Sequence, residues 1–205
     1  MKKIIVTMML GFVLLNASGL KHTGCDLSQI GDFDVSFKAY KTPSKIGVGG
    51  AFDKVNYKSI KATGKNFRQI FVGSSVDIDT SSVNSNHKER DSKLVTFFFN
   101  QMSSKNIKAN ILDITSDKRV RGKPRTGTLL VEVIMNSVTK KVPMTYSYND
   151  GLFDATGVID IFDFSANSAL KSINKACYDL HAGKTWSDIT IGFSTRIEAL
   201  LCSAK

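Results

Sequence analysis

Thr80-Ser81-Ser82-Val83-Asn84-Ser85-Asn86-His87-Lys88-Glu89-Arg90-Asp91-Ser92-Lys93-Leu94-Val95-Thr96-Phe97-Phe98-Phe99 is the stretch on which the reading of the fold turns. It opens as a polar loop, with Ser81, Ser82, Asn84, Ser85 and Asn86 all favouring turns. Asn86 or Ser85 can cap a short helix over residues 88–94, with Glu89 in its first turn. Leu94 and three phenylalanines follow at once. A helix this short does not stand alone in water and must dock on an apolar surface. On both sides the chain has the character of strands. The stretch therefore predicts a helical plug inside a β architecture.

The strands carry period-two alternation, the mark of a sheet with one buried face. Phe33-Asp34-Val35-Ser36-Phe37-Lys38-Ala39 alternates cleanly, and Thr42-Pro43-Ser44 turns the chain. Residues 46–57 give a second strand, whose glycines permit a bulge or bend. Residues 67–72, 75–79 and 106–113 give three more. Residues 127–135 and 141–148 flank a hairpin turn over residues 136–140. Asn149-Asp150-Gly151 turns into a strand over residues 153–161, and residues 188–201 form the last, with Ile189, Ile191, Phe193, Thr195, Ile197 and Ala199 on one face. One clear helix is predicted over residues 165–180, capped by Ser168 or Asn167. Ala169, Leu170, Ile173, Ala176, Cys177 and Leu180 form its apolar face. The expectation is mainly β: an eight-stranded antiparallel barrel with one helix near the C-terminus and a short helical plug.

Several motifs in this order resemble the YceI-like family. Ser82-Val83, Arg90-Asp91, Leu94 and Phe97-Phe98 resemble its S-V-x-T…R-D-x-H-L…F-F signature, with Lys93 in place of the usual His. Val48, Gly50 and Phe52 match its V-x-G-x-F, and Tyr40 or Ala39 stands near another family His. Val138-Thr139-Lys140 and Val142 match its hairpin. Ile159, Asp163 and Phe164 match I-x-R-x-D-F, with Ile161 in place of the Arg. The resemblance spans nearly the whole chain after the amino-terminal segment. It implies a lipocalin-like barrel that binds an isoprenoid, a quinone tail, a fatty amide or another long lipid, with no cofactor besides that ligand and no enzymatic activity.

The amino terminus has the layout of a secretory signal: Met1-Lys2-Lys3, an apolar run over residues 4–15, and Asn16-Ala17-Ser18-Gly19. Cleavage after Gly19 or Ala17 fits. The apolar run is short of the roughly 20 residues a bilayer span needs. A lipoprotein would need Cys25 acylated, but His22 stands where an aliphatic residue belongs. This predicts export to the periplasm, with residues 1–19 a signal peptide and residues 20–205 one domain. With Lys2 and Lys3 removed from the 28 basic residues, 26 face 18 acids, a balance of +8. That charge, including the basic loop over residues 118–125, suits a solvated surface or peripheral contact with an anionic membrane. A homodimer is a further partner mode. Nucleic acid is excluded as a partner, because no basic helix or aromatic stacking box is present.

Three cysteines, Cys25, Cys177 and Cys202, permit one disulfide in an oxidising compartment. Closing a barrel by pairing its first and last strands brings Cys25 and Cys202 together; Cys177–Cys202 is the other pairing. No C-x-x-C spacing suggests a metal. His87 and His181 lack companions at ligand spacing, and no hydrolase, zinc or phosphate-loop motif occurs. Asp77 with Asp79, and Asp154 with Asp160, suit the wet face of strands better than acid–base work. Arg90 and Asp91 are candidates to orient a headgroup. The candidate lipid-contacting residues are Phe37, Phe52, Ile78, Phe98, Ile111, Val133, Met144, Tyr146, Ile159, Leu170 and Phe193, each of which, taken singly, is more simply a residue of a filled core. A tunnel for a lipid and a solid core serving an exported interaction or stress-protection module are therefore both open.

Overall fold

The structure, a computed structural model, describes residues 26–200. The expected signal peptide and the Cys25–Cys202 pair lie outside them. The strands are β1 (Leu27–Lys41), β2 (Ile46–Phe52), β3 (Val55–Lys58), β4 (Thr63–Gly64), β5 (Ser75–Asp79), β6 (Val83–Asn84), β7 (Asn106–Ser116), β8 (Arg125–Met135), β9 (Val138–Asn149), β10 (Leu152–Asp160) and β11 (Asp188–Ala199). Three α-helices interrupt them: α1 (Phe67–Phe71), α2 (Lys88–Phe97) and α3 (Asn167–Ala176).

The strands form one curled antiparallel sheet in the order β3-β5-β7-β8-β9-β10-β11-β1-β2-β6, with β4 added to β1. The strands number eleven because residues 46–57, expected as one strand, break into β2 and β3, and because the two-residue β4 and β6 form where no strand was expected. β2 runs into β3 across Asp53 and Lys54, and β5 runs into β6 through a 3-10 turn at Thr80–Ser82. These broken runs lie side by side. Asp53 N–H donates to Ser82 O (3.0 Å) and Asp79 N–H to Lys54 O (3.2 Å). First and last strands pair antiparallel as expected, Val35 opposite Phe193 and Phe37 opposite Ile191. The β8–β9 turn is tighter than expected: Asn136 and Ser137 alone make it, both at positive φ, as a two-residue hairpin twisting with its strands requires.

Residues 67–72 form no strand. Phe67, Ile70 and Phe71 stand at i, i+3 and i+4, which places them on one side of a helical turn. Asn66 starts that turn, its Oδ1 accepting from Gln69 N–H at 3.0 Å. The three apolar side chains are buried, at 1%, 1% and 0% exposure. Arg68 reaches the Asp113 carboxylate. Beyond the helix, Gly73 N–H donates to Ile111 O (2.8 Å) and Ile111 N–H to Ser74 O (3.0 Å), so α1 is tied to β7 on both sides.

α1 closes one end of the barrel. Phe67 meets Tyr146, Tyr148 and Phe153 edge-on at 5.6, 5.1 and 5.2 Å, and Phe71 packs on Phe153 at 4.7 Å. The Arg125 guanidinium covers the Phe67 ring at 4.5 Å. Gly127, opposite Tyr146 in the β8–β9 ladder, leaves room for this packing, since a Cβ there would fall 2.6 Å from the Tyr146 ring. This lower end is a filled aromatic core. The basic loop over residues 117–124 joins β7 to β8 here, at the end away from α2 and α3.

The other two helices differ from expectation at their ends. α2 runs to Phe97, and its cap is His87, whose Nδ1 accepts from Arg90 N–H at 3.2 Å. α3 spans residues 167–176 rather than 165–180. Ala166 starts it with no side-chain cap, and after Cys177 the chain tightens into a 3-10 turn at Asp179–His181.

If the aromatic floor holds the barrel, Phe71→Ala should cost about 3–5 kcal/mol, read as a lower urea midpoint. Val158→Ser, at a side chain 60% exposed, should shift stability by no more than about 0.5 kcal/mol. Equal shifts in the two variants would contradict the role given to α1.

Candidate functional site: an apolar cavity with one polar end

The inward stripe of each strand is read from its alternation. On β1 it is Phe33, Val35, Phe37 and Ala39; on β11 it is Ile189, Ile191 and Phe193. β5, β7 and β8 add Val76 and Ile78, Ile107 to Ile111, and Val131 to Met135. Above the aromatic floor these stripes do not meet. They enclose a cavity of about 480 Å³, within the range of about 300–1,000 Å³ usual for small-molecule sites. Its floor is Phe33, Tyr57 and Phe193, with Phe33 stacked between the other two at 4.2 and 4.7 Å. Below lie Phe71 and Phe153.

Eleven of the thirteen candidate ligand residues line this cavity: Phe37, Phe52, Ile78, Arg90, Phe98, Ile111, Val133, Met144, Ile159, Leu170 and Phe193. Gly50 makes room for one of them. It faces Phe37 across the β1–β2 ladder, and a Cβ there would fall 2.6 Å from the end of the Phe37 ring. Tyr146 and Asp91 stand elsewhere. Tyr146 points into the barrel but below the floor, stacked on Phe153 at 4.8 Å with its hydroxyl bonded to Ser116 Oγ at 2.7 Å. Alternation alone does not tell it from a cavity residue, because the residues that fill that end, 67–71, suit a strand by composition and form a helix only in the fold.

Asp91 is engaged with the loop before α2. Its carboxylate accepts from Ser85 N–H at 2.9 Å and from the Ser85 hydroxyl. Arg90 grips the same serine, donating from Nε to Ser85 Oγ (2.7 Å) and from Nη2 to Ser85 O (2.6 Å). The Arg90–Asp91 pair thus satisfies a buried serine and fixes the entry to α2. Its polar groups are spent on the protein, although Arg90 also edges the cavity.

The upper end is framed by α2, α3 and the residues that follow α3. Leu94 of α2 and Phe98, which ends that helix, pack on the core half-buried. Leu170 and Ile173 of α3, with Cys177 just after it, continue the wall, and Leu180, 62% exposed, stands at the rim. Here the lining turns polar: Lys41, His87, Glu89, Arg90, Lys93, His181, Thr185 and Trp186. Glu89 and Lys93 are paired one helical turn apart at 2.8 Å. That contact lowers the Glu89 carboxyl and raises the Lys93 ammonium from their ordinary values. Burial pushes the Cys177 thiol up, against the pull of Lys93 and Lys41. Burial, with the charge of Lys41, pushes the His181 imidazole down. Among the described residues no group of three or more His, Cys, Asp or Glu side chains could hold a metal ion.

The missed lining residues were partly legible. Phe33 belongs to the stripe of Phe37, and Lys41 is the next member beyond Ala39. Tyr57 was not, because the break at Asp53 and Lys54 resets the phase of its strand.

A curled antiparallel barrel with an apolar interior cavity and a helical rim is the architecture of a lipid- or small-molecule-binding barrel. The YceI-like domain model matches residues 30–197, and the chain belongs to that family. Solved structures agree in fold. A polyisoprenoid-binding domain from Saccharophagus degradans superposes with a TM-score of 0.56 at 10% identity, covering 86% of this chain and 99% of that one. BcnA from Burkholderia cenocepacia gives 0.51 at 16% identity, covering 82% and 96%. The Campylobacter jejuni YCEI protein gives 0.50 at 16% identity, covering 98% and 99%. No curated protein matches the sequence.

One detail of the floor is testable. The Tyr57 hydroxyl is a buried side-chain polar atom without a hydrogen-bond partner among the described residues, a state that costs about 1–3 kcal/mol. Tyr57→Phe removes that cost and keeps the ring stacked on Phe33. The variant should melt no lower than the parent, and higher as the cost is relieved. A clear fall in melting temperature would show that the hydroxyl has a partner.

Proposed function

We propose that this protein binds a long, slender apolar ligand, an isoprenoid, quinone tail or other lipid chain, within the barrel, and carries or stores it in the periplasm. The observation that carries the reading is the cavity of about 480 Å³, apolar for most of its length above a solid aromatic floor. A lipid chain needs such a surface and few placed polar groups. Membership of the YceI-like family and the fold shared with a polyisoprenoid-binding domain point the same way. The candidate lipid contacts are the eleven lining residues named above. The reading is of a binder rather than an enzyme: the lining is mostly hydrocarbon, and its charged side chains sit at one end only.

The periplasmic setting rests on the amino-terminal signal pattern, with residues 20–205 as the exported domain. Protein recovered from the periplasm should show by intact mass the loss of residues 1–19. Peptide mapping without reductant should find Cys25 joined to Cys202, with Cys177, buried at the end of α3 and unpaired among the described residues, as the thiol left over. A retained amino terminus in cytosolic material would overturn export.

Protein purified without detergent should yield a co-purifying lipid on solvent extraction and mass spectrometry. Phe98→Glu places a carboxylate against the ligand path at a half-buried position, where a charge without a partner is costly. The variant should keep the parent's circular dichroism and lose most of the lipid. A folded variant that retains its lipid would contradict the assignment of the cavity.

A further inference from the structure

We propose that the ligand is an amphiphile with an anionic head, a carboxylate or a phosphate, and that the head is held at the barrel mouth between Lys41 and His181. This rests on the cavity being a lipid site and adds which end of the lipid lies where and what its head must be.

The first observation is the inward stripe of β1. Phe33, Val35, Phe37 and Ala39 alternate inward along β1, and Lys41 is the next inward position. A hydrocarbon column therefore ends in an ammonium aimed at the cavity. The backbone holds it there. Lys41 bridges to Thr185, Thr42 N–H donates to Lys184 O (2.9 Å), and Trp186 N–H donates to Tyr40 O (3.0 Å). Trp186 Nε1–H also donates to Thr42 O at 2.8 Å.

The second is charge pairing. Two other lysines of this end are neutralised, Lys45 by Asp188 at 2.7 Å and Lys93 by Glu89 at 2.8 Å. Arg90 is committed to Ser85. Lys41 makes no ion pair among the described residues, yet it is half-buried at an apolar wall. An anion arriving beside it exchanges a poorly solvated lone charge for a pair, in surroundings where the attraction is stronger than in water.

The third is the proton arrangement at His181. Thr185 Oγ1 donates its single proton to Asn174 Oδ1 at 2.8 Å, so it accepts from His181 Nδ1–H at 2.6 Å. That fixes the tautomer and leaves Nε2 as an acceptor in the cavity lining. A head that accepts from Lys41 and shares a proton with Nε2 satisfies both groups. A phosphate monoester does this as a monoanion, keeping its charge for Lys41 and one proton for Nε2; a carboxylate does it by pairing with Lys41 and accepting from His181 once Nε2 takes up a proton. A saturated hydrocarbon end does neither, and an alcohol brings no charge to Lys41.

Delipidated protein loaded with an apolar fluorescent probe can be titrated with a long-chain alcohol, fatty acid and alkyl phosphate of one chain length. The two acids should displace the probe at least about tenfold more tightly than the alcohol, as one added charged hydrogen bond implies. Whichever acid binds tighter names the head. Lys41→Met, which keeps the aliphatic stem, should abolish the preference and leave the alcohol's affinity as it was, so the alcohol also reports an intact cavity. Lys45→Met should leave the preference in place. Equal affinity of all three ligands for the parent, or a preference that survives Lys41→Met, overturns the head assignment while the lipid site stands. If no ligand displaces the probe, the lipid site falls and the head assignment with it.

Discussion

Phe67 and Phe71 decide what the barrel can hold. Strand alternation sends a side chain inward at every second residue, but eight curled runs of chain enclose more space than those side chains fill. The five residues of α1 supply the difference at one end. Their aromatic rings meet Phe153, Tyr146 and Tyr148 edge-on, a geometry that favours each ring's electron distribution. Remove that floor and the cavity has no bottom; extend it and the cavity disappears. Everything above depends on the plug stopping at the level of Phe33, Tyr57 and Phe193.

The two ends of the barrel are therefore built on different principles. The lower end is close-packed, and its polar groups serve anchoring: Arg68 to β7, Arg125 over Phe67, Tyr148 to Ile197 O. The upper end is spanned by helices that pack only half their surface. α2 buries no residue fully; it is held by Leu94 and Val95, half-buried against the core, and by Ser85, gripped by Arg90 and Asp91 together. A helix with no fully buried residue belongs to the less stable part of a fold. That suits a rim past which the proposed lipid chain would enter.

The same asymmetry reconciles two ideas about the interior. A solid core and a ligand tunnel look like alternatives when only the inward stripes are known. In the folded chain a solid aromatic core and an open apolar cavity are stacked, one above the other. The family membership and the shared fold fit the upper half, and the aromatic floor accounts for why the lower-end residues, Tyr146 among them, are as deeply buried as those of any packed domain.

How much of this stood in the sequence depends on the range of the interaction involved. Alternation is local, so the strands over residues 33–39, 75–79, 106–113 and 188–199, the antiparallel class and most of the inward residues were legible from period alone. So was the helical stretch after residue 87, because its polar loop and acidic first turn are local signals. α1 was not: residues 67–72 suit a strand by composition, and only the i, i+3, i+4 spacing behind Asn66 marks a turn of helix, which is stable only inside the barrel that buries it. The break between β2 and β3 likewise has no local cause that outweighs the strand pattern around it. Arg90 and Asp91 drew attention as charges beside an apolar run, but their partner, Ser85, was named only by the fold. Lys41 shows the opposite case. Its place on the inward stripe was determined by alternation, while its lack of an acidic partner among the described residues and its nearness to His181, 140 residues on in the chain, were decided by the tertiary structure alone, because the closing of β1 on β11 is what brings the two together.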